Sequence, residues 1–285
     1  MIELNGVTKT YGAMRAVDDV SFALAAGESL ALWGSNGAGK TTLLRCLLGV
    51  TRFEGTITVD GISVSRAGKD ARRRIGYVPQ VVPVFDLPVG EMIQLTARLR
   101  SADLNEGLAR LDEFGLGSTV HKPVESLSGG MKQKLALTLA LLGDPPILLL
   151  DEPTSNLDAR SQDELIDLLG NLQKEGRTIV FTSHRWDEIR ELAQRVVVLE
   201  HGKCISSGPV AEMARASGGQ LGLRVRLAPE SIESAVVLLG ANGFNADRNG
   251  HSIVIRVDQQ RKAEPLLLLA SSSIPVTDFE LEEQA

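Results

Sequence analysis

A strand, a glycine-rich loop and a helix follow one another over residues 29–48, and that order constrains the fold more than any other stretch. Ser29–Trp33 is a compact apolar run, as expected of a buried strand, and it ends at Gly34. Gly34-Ser35-Asn36-Gly37-Ala38-Gly39-Lys40-Thr41 then fits the G-x-x-x-x-G-K-[ST] pattern, and helical sequence runs over Lys40–Leu48. Glycines let a backbone wrap phosphate oxygens with its N–H groups pointing inward. Lys40 adds positive charge for β- and γ-phosphates, and the Thr41 hydroxyl suits Mg²⁺. Such a loop needs a strand to deliver it to a helix N-terminus, which calls for a mostly parallel sheet with helices packed on it. Alone, the motif specifies a nucleoside triphosphate and nothing finer.

The remaining sequence supplies that architecture. Ile2–Val7 and Val17–Leu24 alternate on either side of Tyr11-Gly12-Ala13 and read as antiparallel strands. Ile57–Val64 contains Asp60-Gly61, a hairpin signal. From about residue 81 to 142 the pattern turns helical, with helices expected over Glu91–Arg100, Glu106–Phe114 and Gly130–Leu142. Gly143-Asp144-Pro145-Pro146 stops the last of these. Strand Ile147–Leu150, helix Arg160–Lys174, strand Thr178–Thr182, helix Trp186–Gln194 and the hairpin Val196–Glu200 with Lys203–Ser206 complete the strand–helix alternation.

After Gly218-Gly219 the style changes. Leu221–Leu227, Glu230–Leu239, Phe244–Arg248, Ser252–Val257, Arg261–Ala270 and Val276–Leu281 read β-α-β-β-α-β, the ferredoxin-like order, with Asn249-Gly250 as its hairpin turn. Two domains are expected, an α/β domain over residues 1–218 and a small α+β domain over residues 219–285.

Composition narrows the function classes. A formal net charge of −6 and 4% aromatic residues argue against a dedicated nucleic-acid binder. Cys46 and Cys204 lack paired or metal-type spacing and read as two reduced thiols of a cytosolic protein. Met1–Asn5 carries no secretory pattern. The longest apolar stretches, around Leu135–Leu142 and Leu266–Ala270, fall well short of the ~20 residues that span a bilayer, so any membrane task needs a separate partner.

Three further features carry chemistry. Leu127-Ser128-Gly129-Gly130-Met131-Lys132 opens a helix with exposed backbone N–H groups, an anion site in a chain that already has one. A second phosphate site suggests service to a nucleotide held by another subunit. Ser-Gly-Gly is also a serviceable helix cap, and the two roles are compatible. Ile147–Leu150 delivers Asp151 to a strand end, where a Mg²⁺ shell needs a carboxylate, and Glu152 follows as a group to polarise attacking water. Asp-Glu-Pro as a plain helix start is the structural alternative. His184 ends its strand at the sheet edge where ligands gather, whereas His121, His201 and His251 take structural readings.

The phosphate loop, Leu127–Lys132, Asp151-Glu152 and His184 stand in the order and approximate spacing of an ABC-transporter ATP-binding subunit, and residues 1 to about 215 resemble one. The combination is specific; no single motif is. The resemblance implies a P-loop ATPase domain with a parallel sheet core, an antiparallel β subdomain and a helical subdomain over about 81–142. It also implies further site residues. Gln80, after Ile75–Pro79, is similar to the glutamine that touches Mg²⁺ and the attacking water. Ser155-Asn156-Leu157-Asp158 resembles the segment that crosses to the opposite subunit, and Tyr11 resembles the aromatic residue that stacks on adenine. The implied catalytic set is Glu152, His184 and Gln80; the implied Mg²⁺ set is Thr41, Gln80 and Asp151. The implied ATP-contacting set is Tyr11, Gly34, Ser35, Asn36, Gly37, Ala38, Gly39, Lys40, Thr41 and Thr42, joined by Ser128, Gly129, Gly130 and Asp158.

In that family two subunits pair head to tail, each ATP cradled by one and capped by the Ser-Gly-Gly segment of the other. The resemblance thus implies a homodimer, an integral membrane permease, no nucleic acid, and a cytoplasmic position on the inner face of the cell membrane. Met131 stands where many members have Gln, a variant that resembles exporters of the ABC-2-like type. Ser35 replaces a frequent Pro, and Asn156 a usually small residue, without removing any reacting group. The apolar connector Val81–Leu87 reads equally as core or as a patch for the membrane subunit.

The tail is weakly similar to small C-terminal domains of exporter-type subunits, with dimerisation or regulation as its implied role. Alternatives stay open: the ATPase of a copper-related or nitrous-oxide-reductase maturation transporter, and a non-transport ABC ATPase. The latter typically carries coiled-coil inserts or two cassettes, and neither is visible. A P-loop kinase or GTPase would leave Ser128–Gly130 unexplained.

Overall fold

Continuous apolar strands form the centre of the larger unit of the computed structural model, which describes residues 1–82, 86–216, 220–249, 252–258, 261–272 and 274–283. The chain divides into two units, Met1–Val210 and Ala211–Ala285. The expected boundary at Gly218-Gly219 lies outside the described residues, as do Pro83, Val84 and Phe85 of the connector, Gly250 and His251.

The first unit opens with β1 (Ile2–Tyr11), β2 (Met14–Leu24), β3 (Ser29–Trp33), α1 (Lys40–Leu47), β4 (Glu54–Val59), β5 (Ile62–Ser63), α2 (Gly68–Arg73) and β6 (Ile75–Val78). Three longer helices follow, α3 (Val89–Arg100), α4 (Leu104–Glu113) and α5 (Gly129–Leu141). The chain continues through β7 (Ile147–Leu150), α6 (Ala159–Lys174), β8 (Thr178–Ser183), α7 (Trp186–Leu192), β9 (Arg195–Glu200) and β10 (Lys203–Pro209), and α8 (Val210–Ala216) begins at the division between the units.

Six of these strands make one sheet in the order β10-β9-β3-β8-β7-β6, parallel except for the antiparallel β10–β9 pair. Strands β3, β7 and β8 are buried along their whole length. Burial on both faces explains why their sequences run apolar instead of alternating. A second, antiparallel sheet has the order β2-β1-β4-β5. Its inward residues Leu4, Val20 and Ile57 share one buried cluster with Leu43, Leu44 and Leu47 of α1 and with Leu32, Leu149 and Val197 of the parallel sheet. Each fully buried leucine there contributes roughly 1.5–3 kcal/mol, and truncating Leu149 to alanine would cost about 2–5 kcal/mol. The helices α3, α4 and α5 enclose their own core of Val89, Ile93, Leu111, Leu127, Leu135 and Leu142.

The second unit has β11 (Gln220–Leu227), α9 (Ile232–Ala241), β12 (Asn245–Asn249), β13 (Ser252–Asp258), α10 (Glu264–Ser271) and β14 (Val276–Glu283). Its sheet is antiparallel throughout, in the order β12-β13-β11-β14, which is the ferredoxin-like arrangement. Leu223, Val225, Ile253 and Ile255 of the sheet pack with Ile232, Leu239 and Leu269 of the helices. Helix α10 starts three residues later than the sequence pattern suggests, with Pro265 in its first turn, where a missing N–H costs nothing.

Candidate active site

All five parallel strands end at one edge, and each passes the chain into a segment that carries a candidate site residue. Strand β3 leads to Gly34, β7 to Asp151 and Glu152, β8 to His184, β9 to His201, and β6 to Gln80 one residue beyond Pro79. The carboxyl edge of a parallel sheet is where ligands bind in such folds.

The loop after β3 turns sharply into α1. Gly39 has φ +105°, and a Cβ there would lie 2.3 Å from the Ala16 carbonyl oxygen, so only glycine fits. The turn aims the unsatisfied N–H groups of α1 at the loop's concave side. Lys40 is buried, donating to the carbonyls of Gly34 at 2.7 Å and Ser35 at 3.1 Å, with its Nζ 3.5 Å from Glu152 Oε1. A cavity of about 600 Å³ covers this loop, lined by Asn36, Gly37, Ala38, Gly39, Lys40, Thr41 and Thr42, by Gln80 and Glu152, and by Met14, Arg15, Ala16, His201 and Gly202. That volume suits a medium-sized ligand.

Asp151 is buried, and its Oδ1 accepts from the hydroxyls of Thr41 and Thr182, each at 2.9 Å. Half-buried Tyr77 reports on this environment: burial first, then the Asp151 charge, push its phenol up to about 12. Glu152 leaves the strand in the left-handed region, φ +45°, with its N–H donating to Thr182 Oγ1 at 2.7 Å. That turn swings its carboxylate to the cavity, where Gln80 Nε2 donates to Oε2 at 3.0 Å and His184 Nδ1 lies 3.8 Å from the same oxygen. Lys40, Gln80 and His184 thus converge on Glu152.

Among the described residues no group of three or more His, Cys, Asp or Glu is arranged to hold a metal ion. The donors that do meet here, the Thr41 hydroxyl and the Asp151 carboxylate, with Gln80 nearby, are all hard oxygens. One carboxylate plus a hydroxyl fits Mg²⁺, which takes its remaining ligands from phosphate and water.

Ser128, Gly129, Gly130 and Asp158 do not line the cavity. Exposed Ser128 caps α5, accepting from the Met131 N–H at 3.3 Å. A Cβ on Gly130 would lie 2.6 Å from Ser161 Oγ, so the segment packs closely against the start of α6. Asp158 caps α6; the Ser161 N–H at 2.9 Å, then the Ser161 hydroxyl, hold its carboxyl below the usual range.

Tyr11 also lies off the cavity lining. It pairs in register with Met14 on the edge strand β2, and Lys9 Nζ sits 4.5 Å above its ring. The cavity rim is formed instead by Met14, Arg15 and Ala16, one strand nearer the loop. Sequence reasoning missed these three residues and gave His201 a purely structural reading. The one local signal was His201-Gly202, a tight turn with φ +47° and +82° that lies against the Ala16 carbonyl.

The profile of the family described as "ABC transporter" matches residues 17–155. The Nod factor export ATP-binding protein I of Sinorhizobium fredii (strain NBRC 101917 / NGR234) is 40% identical over 213 residues, covering 73% of this chain and 62% of that protein. The daunorubicin/doxorubicin resistance ATP-binding protein DrrA of Streptomyces peucetius is 32% identical over 295 residues, covering 100% of this chain and 89% of that protein. Among solved structures, a dimeric ATP-binding cassette in a post-hydrolysis state, bound to ADP and Pi, superposes with TM-score 0.69 and 26% identity over 74% of this chain and 99% of its own.

Proposed function

Because this chain belongs to the ABC transporter family as an ATP-binding subunit, we propose that it hydrolyses ATP to drive export through a separate integral membrane subunit, two copies closing head to tail around shared nucleotides. Supporting export, the relatives above are named for export and drug resistance. Among the described residues no helix is long and apolar enough to cross a membrane, which is compatible with peripheral attachment on the cytoplasmic face.

The observation that carries the reading is the convergence of Lys40, Gln80 and His184 on Glu152 beside the phosphate loop. In this reading the N–H groups of Gly37–Thr41 and the Lys40 ammonium bind the β- and γ-phosphates. Glu152 accepts the proton of the attacking water, a role worth about 10²–10⁴ in rate. Gln80 and His184 keep that carboxylate aimed at the γ-phosphate. Mg²⁺, held by Thr41 and Asp151 with Gln80 beside them, would neutralise phosphate charge. Ser128 and the amides of Gly129 and Gly130 serve the nucleotide bound to the other copy, which accounts for their absence from the lining of this chain's own cavity.

Expression with candidate membrane subunits, followed by purification through the ATPase, tests the assembly. A polytopic membrane protein retained on the column, together with ATP turnover lost in Lys40→Ala, is expected. Co-purification with ribosomes or DNA instead would overturn the transport reading, and unchanged ATP binding in Lys40→Ala would overturn the site.

A further inference from the structure

Glu188 carries a carboxylate that the chemistry above does not use. It stands in the first turn of α7, only 3% exposed, where charged residues are rarely found. Its Oε2 accepts from the Ser183 hydroxyl at 2.6 Å, and its Oε1 is enclosed, with the Thr154 hydroxyl acting on the same carboxyl. Burial pushes this carboxyl up; the hydroxyls of Ser183 and Thr154 and the charges of Arg185 and His184 act against that shift. The residue also lines a polar cavity of about 380 Å³ together with Gln80, Glu152, Ser183 and His184.

Ser183 is buried as well, and its Oγ accepts from the Arg185 N–H at 3.0 Å. The residues on both sides of His184 are therefore tied to one point, and that point is held by Glu188. His184 itself is half exposed, and among the described residues no hydrogen bond fixes its ring. Its approach to Glu152 must come from the backbone that carries it. We infer that Glu188 is a positioning residue that acts through Ser183 to hold the His184 imidazole against Glu152, an inference that rests on the hydrolytic reading of this site. A carboxylate that merely capped α7 would affect stability and nothing else.

The test uses the full chain with Glu188→Ala, Glu188→Gln and Ser183→Ala. Glu188→Ala should lower kcat about 10- to 100-fold with KM for ATP within about twofold, the pattern of a group felt only in the transition state. Glu188→Gln retains an oxygen that accepts from Ser183 and should recover most of the rate. Ser183→Ala removes the same hydrogen bond and stands in if the Glu188→Ala chain does not fold. The histidine ring resonances in a ¹H–¹⁵N spectrum give a readout free of catalysis. Those of His184 should move in Glu188→Ala while those of His121 and His201 stay in place. Equal losses in kcat and apparent affinity, no rescue by glutamine, or an unmoved His184 resonance would each overturn the inference. Absence of ATP turnover in the unaltered chain would instead overturn the hydrolytic reading, and the resonance shift would still decide the role of Glu188.

Discussion

Thr182 donates its hydroxyl to Asp151 Oδ1 at 2.9 Å and with the same oxygen accepts the N–H of Glu152 at 2.7 Å. One fully buried hydroxyl therefore fixes two consecutive acidic residues that serve different parts of the site. Thr182→Val keeps the shape and removes both bonds. It should destabilise the fold by about 1–3 kcal/mol, the cost of stranding buried polar groups, and lower turnover as well. Denaturant titration and an ATPase assay measure the two effects, and Thr182→Ser should restore both.

Glu152→Gln should leave ATP binding intact while turnover falls about 10²–10⁴-fold. The variant also lifts a negative charge from beside Lys40, so ATP should bind at least as tightly by calorimetry. A two-chain species should accumulate with ATP on size-exclusion chromatography. Turnover at the unaltered rate would remove Glu152 from the role of base.

Ser128→Arg tests the half-site. Ser128 does not line its own chain's phosphate-loop cavity, so nucleotide binding to single chains should change less than about twofold, while ATP-induced pairing disappears. Equilibrium binding at low protein concentration and light scattering at high concentration separate these outcomes. A large loss of affinity in the single chain would contradict a site shared between two copies.

The buried Glu188 predicts a pH dependence of stability. Its folded carboxyl lies above the ordinary glutamate value of 4.5. Below 4.5 both folded and unfolded chains hold the proton. As pH rises from there to the raised value, the folded chain keeps a proton that the unfolded chain releases. Stability therefore falls across that window and then levels. Glu188→Gln cannot lose a proton, so its melting temperature should gain on that of the unaltered chain over the same window.

Much of this site can be read in the sequence because its residues sit at the ends of strands with uniform apolar composition. Ile147–Leu150 and Thr178–Ser183 announce themselves as buried strands, and Asp151 and His184 follow at once. Strand β6 was harder to see because Gly76 interrupts it. A Cβ at Gly76 would lie 2.4 Å from the Ala140 carbonyl oxygen, so the missing side chain makes room for α5. Helix α2 is six residues of mostly charged sequence with no apolar period to mark it. The contributions of Met14, Arg15 and His201 depend on how β2 and the β9–β10 turn meet the phosphate loop. That apposition joins residues far apart in the chain, and no local pattern encodes it.

Consecutive residues at the start of α1 meet consecutive residues at the end of β7: Thr41 with Asp151 at 2.9 Å, and Lys40 with Glu152 at 3.5 Å. In the register of β7, Leu150 lies opposite Val78 on one side and Phe181 on the other. A slip of one residue would bring Leu150 to Thr41 and break both pairs together. Both contacts therefore depend on a single strand register. In the proposed reading, a misaligned copy would lose its hold on the nucleotide all at once and not by degrees.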